Sequence, residues 1–265
     1  MKTIVITGST RGIGFAMARA FIRKGNKVVI SGRKFPAVKE AVQKLAKEFS
    51  ADYVVGFTCD VTQFTQVQAL WDQAHKKFGD IDIWVNNAGI SNMQNTPWEL
   101  PAEEIRAVVE TNVLGEMFGS KVAMQGFIKQ GYGAVYNMEG MGANGRSNSN
   151  VKGLSIYGAS KAGLRYFNDC LASEITNPRI IAGFLQPGMA LTEMVTGQYE
   201  GKPEDWSRVK RIFDVISSDV NLVADWLTDK MLTNQKNGAR FSFSNSLHIF
   251  SRFLLMPFRQ KEKTS

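Results

Sequence analysis

At 265 residues, 44% apolar and 21% charged, the chain has the length and composition of one large α/β domain with a sheet between two helical layers, which excludes a disordered or fibrous protein. No apolar run approaches the roughly 20 residues that cross a bilayer, and the chain opens directly on a strand, so a soluble cytoplasmic protein, or the processed soluble form of an organellar one, is expected. The formal charge of +8 does not point to nucleic acid, because Lys39, Lys44, Lys47, Lys76 and Lys77 are scattered over helix faces as solvated cations are. With His75 and His248 the only histidines, and with Cys59 and Cys170 isolated, no metal is expected; both cysteines read as small buried residues in a reducing compartment.

The apolar run Ile4-Val5-Ile6, the turn Thr7-Gly8-Ser9-Thr10-Arg11-Gly12-Ile13-Gly14 and the segment from Phe15 to Phe21 read as strand, glycine-rich loop and helix. This is the opening of a dinucleotide-binding βαβ unit. Gly8 takes the sharp exit from the strand, Gly12 removes a Cβ where a pyrophosphate approaches backbone, and Gly14 lets the helix pack closely on the sheet. The helix N-terminus offers free N–H groups and positive dipole to phosphates.

The second strand, Lys27 to Ser31, ends at Gly32-Arg33-Lys34. Folds that bind NAD place a carboxylate here for the ribose 2′-hydroxyl, whereas Gly32 followed by cations suits a 2′-phosphate held by Arg33 with Arg11 on its other side. NADPH is therefore expected over NADH, and its basic pocket accounts for part of the net charge.

A helix carrying Val38, Val42, Leu45, Ala46 and Phe49 leads to a strand around Tyr53–Phe57, closed by Asp60-Val61, where Asp60 can accept from an adenine amino group and Val61 can supply backbone. A helix with Val67, Leu70, Trp71, Ala74 and Phe78 follows. The fourth strand, Ile81 to Val85, runs into Asn86-Asn87-Ala88-Gly89, whose small and amide residues suit a cofactor ribose crossing the sheet edge. One long helix is expected from Pro101 to about Gln130, with Glu103 and Glu104 in its first turn and Gly131 after its end. Asn112 lies within it, either as a structural amide or as the holder of a water.

Strand five, Ala134 to Met138, gives way to a Gly/Asn/Ser-rich loop from Glu139 to Ser155. The next helix carries Tyr157 and Lys161 one turn apart, so phenol and ammonium share a pocket, and continues its packed side through Phe167, Cys170, Leu171 and Ile175. Strand six, Arg179 to Leu185, ends at Pro187-Gly188 with Thr192 shortly after. Residues 189–216, with Met189, Met194, Tyr199, Trp206 and Phe213, read as a mobile lid over a substrate. A helix at about Asp219–Met231 and a strand near Ala239–Ser244 complete one Rossmann domain over residues 1–265, a doubly wound parallel sheet with helices on both faces.

In this order, Thr7 to Gly14, Asp60, Asn86-Asn87-Ala88-Gly89, Asn112, Tyr157-x-x-x-Lys161 and Pro187-Gly188-x-x-x-Thr192 resemble the short-chain dehydrogenase/reductase superfamily over about residues 1–245. The resemblance implies that Tyr157 protonates a carbonyl oxygen as hydride arrives from the nicotinamide. It implies that Lys161 lowers the phenol pKa, binds the nicotinamide ribose and, with Asn112, feeds a proton-relay water. Members of the superfamily usually carry a serine after strand five, but here the strand exits as Asn137-Met138-Glu139-Gly140; Asn144, Ser147 or Ser149 could supply a donor, or Tyr157 acts alone.

The stretch Tyr136 to Gly142, the lengthened loop before Tyr157, and Ser160 to Arg165 look most like the chlorophyll b reductase branch, whose members reduce the 7-formyl group of chlorophyll b to hydroxymethyl. A cleft edged by Met93, Trp98, Met141, Met189, Met194 and Trp206 suits a large flat macrocycle, and Met-rich lids accept other apolar substrates too. Another steroid, quinone or acyl carbonyl, or a non-catalytic NADPH-binding role, stays open at this point. The basic, apolar segment 246–265 is read as packing within an oligomer, over the lid, or against an anionic membrane surface. The resemblance also implies a homodimer or homotetramer built on the helices starting near Pro101 and Ser155.

Overall fold

The computed structural model describes residues 1–145, 152–201 and 203–243; Ser147, Ser149 and the segment 246–265 lie outside the described residues. Its strands are β1 (Thr3–Ile6), β2 (Lys27–Gly32), β3 (Val54–Thr58), β4 (Ile83–Asn86), β5 (Gly133–Met138), β6 (Ile180–Gln186) and β7 (Ala239–Ser242). The helices are α1 (Gly12–Arg23), α2 (Phe35–Glu48), α3 (Phe64–Phe78), α4 (Ala102–Val109), α5 (Gly115–Gln130), α6 (Ser155–Glu174), α7 (Glu193–Thr196), α8 (Pro203–Ile216) and α9 (Val220–Thr233). All strand pairs are parallel, in the order β3-β2-β1-β4-β5-β6-β7. The order reverses between β1 and β4, and a doubly wound sheet opens its ligand crevice at the carboxyl ends of the strands beside such a reversal.

Strand alternation divides the core. Ile4, Ile6, Val28, Ile30 and Val85 pack beneath α1, α2 and α9, while Val5, Val29, Trp84 and Val135 face α3, α5 and α6. On the second face Trp71 and Phe127 stack edge to face at 5.3 Å, and Trp71 lies 5.9 Å from Trp84. Gly126 makes room for this: a Cβ there would fall 1.9 Å from Trp71 Cζ2.

One departure from the sequence reading has a visible cause: the long helix is α4 and α5 joined by a π turn, Glu110–Leu114, at the point where Asn112 is drawn inwards. The packed side of α6 comprises buried Ser160, Lys161, Leu164 and Asn168 and, further along, Leu171 and Ile175 against the core, whereas Phe167 and Cys170 are only half-buried. Residues 189–216 contain α7, a 3₁₀ turn at Gly197–Tyr199 and α8, with an aromatic cluster in which Tyr199 lies 5.4 Å from Trp206 and Trp206 stacks on Phe213 at 5.7 Å. Ala190 bridges Ser218, which fixes the base of this region to the chain entering α9. Among the described residues no helix is long and apolar enough to cross a membrane.

Phe127 is fully buried against Trp71 and Gly133. Phe127→Ala is expected to lower the unfolding free energy by about 3–5 kcal/mol, read by urea denaturation.

Candidate active site

The exits of β1 and β4 are built against each other. Gly8 has φ +61°, and a Cβ on it would lie 2.7 Å from Ala88 Cα. Thr7 Oγ1 accepts from Asn87 N at 3.0 Å and Ala88 N at 3.1 Å, while Asn87 Nδ2 donates to the carbonyls of Thr7 and Gly8, each at 2.9 Å. Both amide hydrogens of Asn87 therefore hold the glycine loop in place. Gly14 is needed for the same contact, since its Cβ would fall 2.5 Å from Asn87 Nδ2. Ser9 also turns inward: its hydroxyl donates to Ile6 O at 2.6 Å and accepts from Ser31 N at 3.0 Å, tying β1 to β2. Ile13 is half-buried against the core.

What the loop presents outward is backbone. No side chain caps the N-terminus of α1, so its first amides and the positive end of its dipole are available to an anion. Gly12 has φ +59°, and its Cβ would stand 3.8 Å from Thr192 Cγ2, an ordinary contact; left-handed backbone, more than crowding, requires glycine there. Thr192 follows the buried Pro187 and the exposed Gly188, so the loop after β6 faces the glycine loop across this gap.

At the end of β2 a Cβ on Gly32 would lie 2.7 Å from Thr10 Cγ2, which leaves no ready space for a carboxylate at that position. Arg33 is exposed beside it, and Arg11 is exposed and ion-paired with Glu193 of α7. A groove of about 280 Å³ lies between Thr10, Arg11, Ala41, Lys44 and Glu193. Uncapped amides and left-handed glycines fit the phosphates of a dinucleotide. A larger cavity of about 360 Å³ opens around Asp82, Tyr132, Arg179 and Met231, but at the amino edge of the strands, away from this crevice. Asp60 uses Oδ1 to accept from Thr62 N at 3.0 Å and Thr62 Oγ1 at 2.8 Å, so it shapes its own turn. Val61 is buried against Gly115, and Gly89 abuts Asn112 Oδ1.

The helix α6 brings Tyr157 and Lys161 to the carboxyl end of β5. Both touch the space over Gly140: a Cβ built there would lie 2.3 Å from Tyr157 Oη and 3.4 Å from Lys161 Cγ. Residue 140 is thus a glycine whose missing side chain leaves room for the phenol oxygen. Lys161 is 4% exposed and its ammonium donates to Met138 O at 2.7 Å; burial lowers its pKa, and the carboxyls of Glu116 and Glu139 oppose that shift. Burial pushes the Tyr157 phenol up to about 12, opposite to the lowering that the motif implies. Asn144 is exposed.

Residues that the sequence reading passed over hold this pair. Buried Asn92 accepts from Tyr157 N at 3.1 Å and donates to Gly153 O at 2.7 Å, fixing the first turn of α6 to the loop after β4. Asn112 spans the same joint, accepting from Ile90 N at 2.8 Å and donating to Ile90 O at 2.9 Å and Ser160 Oγ at 3.1 Å. Both of its amide hydrogens are engaged in tying these elements together. Ser160 in turn donates to Tyr157 O at 2.7 Å. An asparagine in a loop carries no periodic signal, so only its bonding in the fold singles out Asn92. Among the described residues no group of three His, Cys, Asp or Glu is placed to hold a metal.

A family model described as short chain dehydrogenase matches residues 2–203. The chain is 33% identical over 258 residues to a chloroplastic chlorophyll(ide) b reductase NOL of Oryza sativa subsp. japonica, covering 94% of this chain and 73% of the relative. It is 31% identical to a probable chloroplastic chlorophyll(ide) b reductase NYC1 of Arabidopsis thaliana, of which it spans 50%. An actinorhodin polyketide ketoreductase solved with NADPH superposes with a TM-score of 0.81 over 93% of this chain and 97% of that one; at 23% identity this likeness concerns the fold.

The phenol also leaves a signature on stability. Its folded pKa of about 12 lies above the ordinary 10.0, so the unfolded chain loses this proton first and stability falls as pH rises between those values. Tyr157→Phe is expected to flatten that fall, measured by urea denaturation across the same interval.

Proposed function

Because the chain belongs to the short-chain dehydrogenase family, in its chlorophyll b reductase branch, we propose that it is an NADPH-dependent carbonyl reductase that converts the 7-formyl group of chlorophyll b to 7-hydroxymethyl. The observation that carries this reading is the convergence of Tyr157 and Lys161 over Gly140, at the strand edge that also holds the uncapped glycine loop. When bound, the reduced nicotinamide supplies a hydride to the carbonyl carbon.

The chain's own residues do the rest. Burial keeps the Tyr157 phenol protonated at neutral pH, so the acid is loaded before substrate enters. Its proton passes to the carbonyl oxygen, and the cation of Lys161, one helical turn further along, favours the phenolate left behind. Asn92 and Asn112 hold the first turn of α6 in register with the loop after β4, which fixes where the phenol stands. Gly8, Ser9, Thr10, Gly12, Ile13 and Gly14 place backbone against the pyrophosphate, with Arg11 and Arg33 on the 2′-phosphate. Asp60 and Val61 border the adenine, Asn87, Ala88 and Gly89 the nicotinamide ribose, and Pro187, Gly188 and Thr192 the nicotinamide.

Three half-buried methionines, Met93, Met141 and Met189, sit on the loops after β4, β5 and β6, which suits a broad apolar substrate. Trp98 and Met194 are exposed nearby in the chain, whereas Trp206 packs into the aromatic cluster of α8. The relatives' names say chloroplastic, which favours the organellar alternative over a cytoplasmic one. Assembly as a dimer or tetramer through α4, α5 and α6 belongs to the same reading, and Ile128 and Tyr166 are exposed on α5 and α6.

Incubation with NADPH and chlorophyll b should remove the formyl signature from the pigment spectrum; reduction of other apolar aldehydes or ketones with chlorophyll b left untouched would sink the substrate assignment. Tyr157→Phe should lower turnover by about 100-fold or more with NADPH binding retained, and parental turnover in that variant would remove Tyr157 as the acid. Arg33→Ala should weaken NADPH far more than NADH, and equal losses would count against a 2′-phosphate contact.

A further inference from the structure

The exit of β5 is the surface on which both reacting side chains rest. Met138 O accepts from the Lys161 ammonium at 2.7 Å, and the open side of Gly140 faces the Tyr157 phenol oxygen. Glu139 lies between those two residues with its side chain turned inwards, 3% exposed. Its backbone N–H donates to Leu185 O at 2.8 Å, and Gly140 O accepts from Ala143 N at 3.1 Å. These bonds tie the main chain of the exit to β6 and to its own turn. They leave the buried carboxylate to find a partner elsewhere, since an unpaired charge there would be costly.

The partner comes from the far edge of the sheet. Arg240 of β7 stands opposite Phe184 of β6, which stands opposite Asn137 of β5, so the three share one face and Glu139, two residues beyond Asn137, joins them there. The Arg240 guanidinium lies over the buried Phe184 ring, 4.5 Å from its centre. Its Nε donates to the two Glu139 oxygens at 2.9 and 3.2 Å, and its Nη2 donates to Asp169 of α6 at 2.9 Å. Asp169 also pairs with Arg165 at 3.1 Å, whereas the ion pair of Glu139 is with Arg240. A flat guanidinium laid on a ring and shared between two carboxylates is held in one orientation, which an ammonium on a flexible stem cannot copy.

We infer that Arg240 is a positioning residue for carbonyl reduction: by fixing the Glu139 carboxylate it sets residues 138–140, and through them the places of Lys161 and Tyr157. The inference rests on the reading of Tyr157 and Lys161 as the reacting pair. Without the guanidinium the carboxylate has to turn towards water, and the main chain that carries it turns with it. The acceptor of the Lys161 ammonium and the space beside the phenol then move together, and a displacement of about 1 Å at a reacting group costs on the order of 100-fold in rate. The glycine loop leaves β1, two strands away from β5, and keeps its own contacts.

The test is steady-state reduction of chlorophyll b by NADPH in the full chain. Arg240→Gln is expected to lower kcat by about 10-fold or more with the Kd for NADPH unchanged, and Arg240→Lys to fall between it and the parent. Glu139→Ala should lower kcat as well, and the double variant Glu139→Ala/Arg240→Gln should lose no more than Glu139→Ala alone, since both changes break one link. Asp169→Asn leaves the Glu139 pair in place and should keep the parental kcat. Amide exchange followed by mass spectrometry should quicken at residues 138–142 of Arg240→Gln and stay parental at residues 7–14. A parental kcat in Arg240→Gln, additive losses in the double variant, an equal loss in Asp169→Asn, or turnover and NADPH affinity lost together each overturn the inference, and so does unchanged exchange at 138–142. An active Tyr157→Phe, or a parent that leaves chlorophyll b unreduced, instead counts against the reading beneath it, and the exchange comparison still decides whether Arg240 holds the strand exit.

Discussion

An ammonium buried at the carboxyl edge of β5 is the constraint around which this molecule is arranged. Taking a lysine charge out of water costs several kcal/mol unless carbonyls and carboxylates replace its hydration. Met138 O receives one of its hydrogens, and Glu116 and Glu139 supply opposite charge from two elements. A sheet face otherwise filled by Trp84, Val135 and Phe184 also carries a polar seam through Asn86, Ser120, Asn137 and Asn168. The close approach of α5 to that seam needs a glycine: a Cβ on Gly119 would lie 1.9 Å from Asn86 Oδ1.

The second half of the site obeys a different rule. Around the glycine loop the side chains named for binding are largely turned to architecture, Ser9 towards Ile6 and Asn87 towards Thr7 and Gly8. The loop's outward face is then amide backbone at the head of a helix, which has no rotamers to freeze when an anion arrives. One half of the crevice is specified by what is buried behind it and the other by what has been cleared from its front. Asn92 and Asn112 join the halves, because both bond the loop after β4 to the first turns of α6.

The strands and most helices are legible in the sequence because each element writes its own periodicity, Ile4 and Ile6 against Val5 on a strand, or Leu70, Trp71 and Ala74 together on one face of a helix. The positions of Tyr157 and Lys161 follow from helical spacing alone. What the sequence hides is polar and aperiodic. Nothing in the spelling of Glu116 separates it from the exposed Glu103 a few turns earlier, and a π turn lies between the two on the way from α4 to α5. Likewise the upward shift of the phenol's pKa comes from its burial, which composition does not record.

The contact between Gly140 and Tyr157 has a consequence for substitution. A Cβ at 140 would stand 2.3 Å from the phenol oxygen, so any side chain placed there displaces that oxygen before it can offer a donor of its own. Packing against the very atom that carries the chemistry holds the position to glycine.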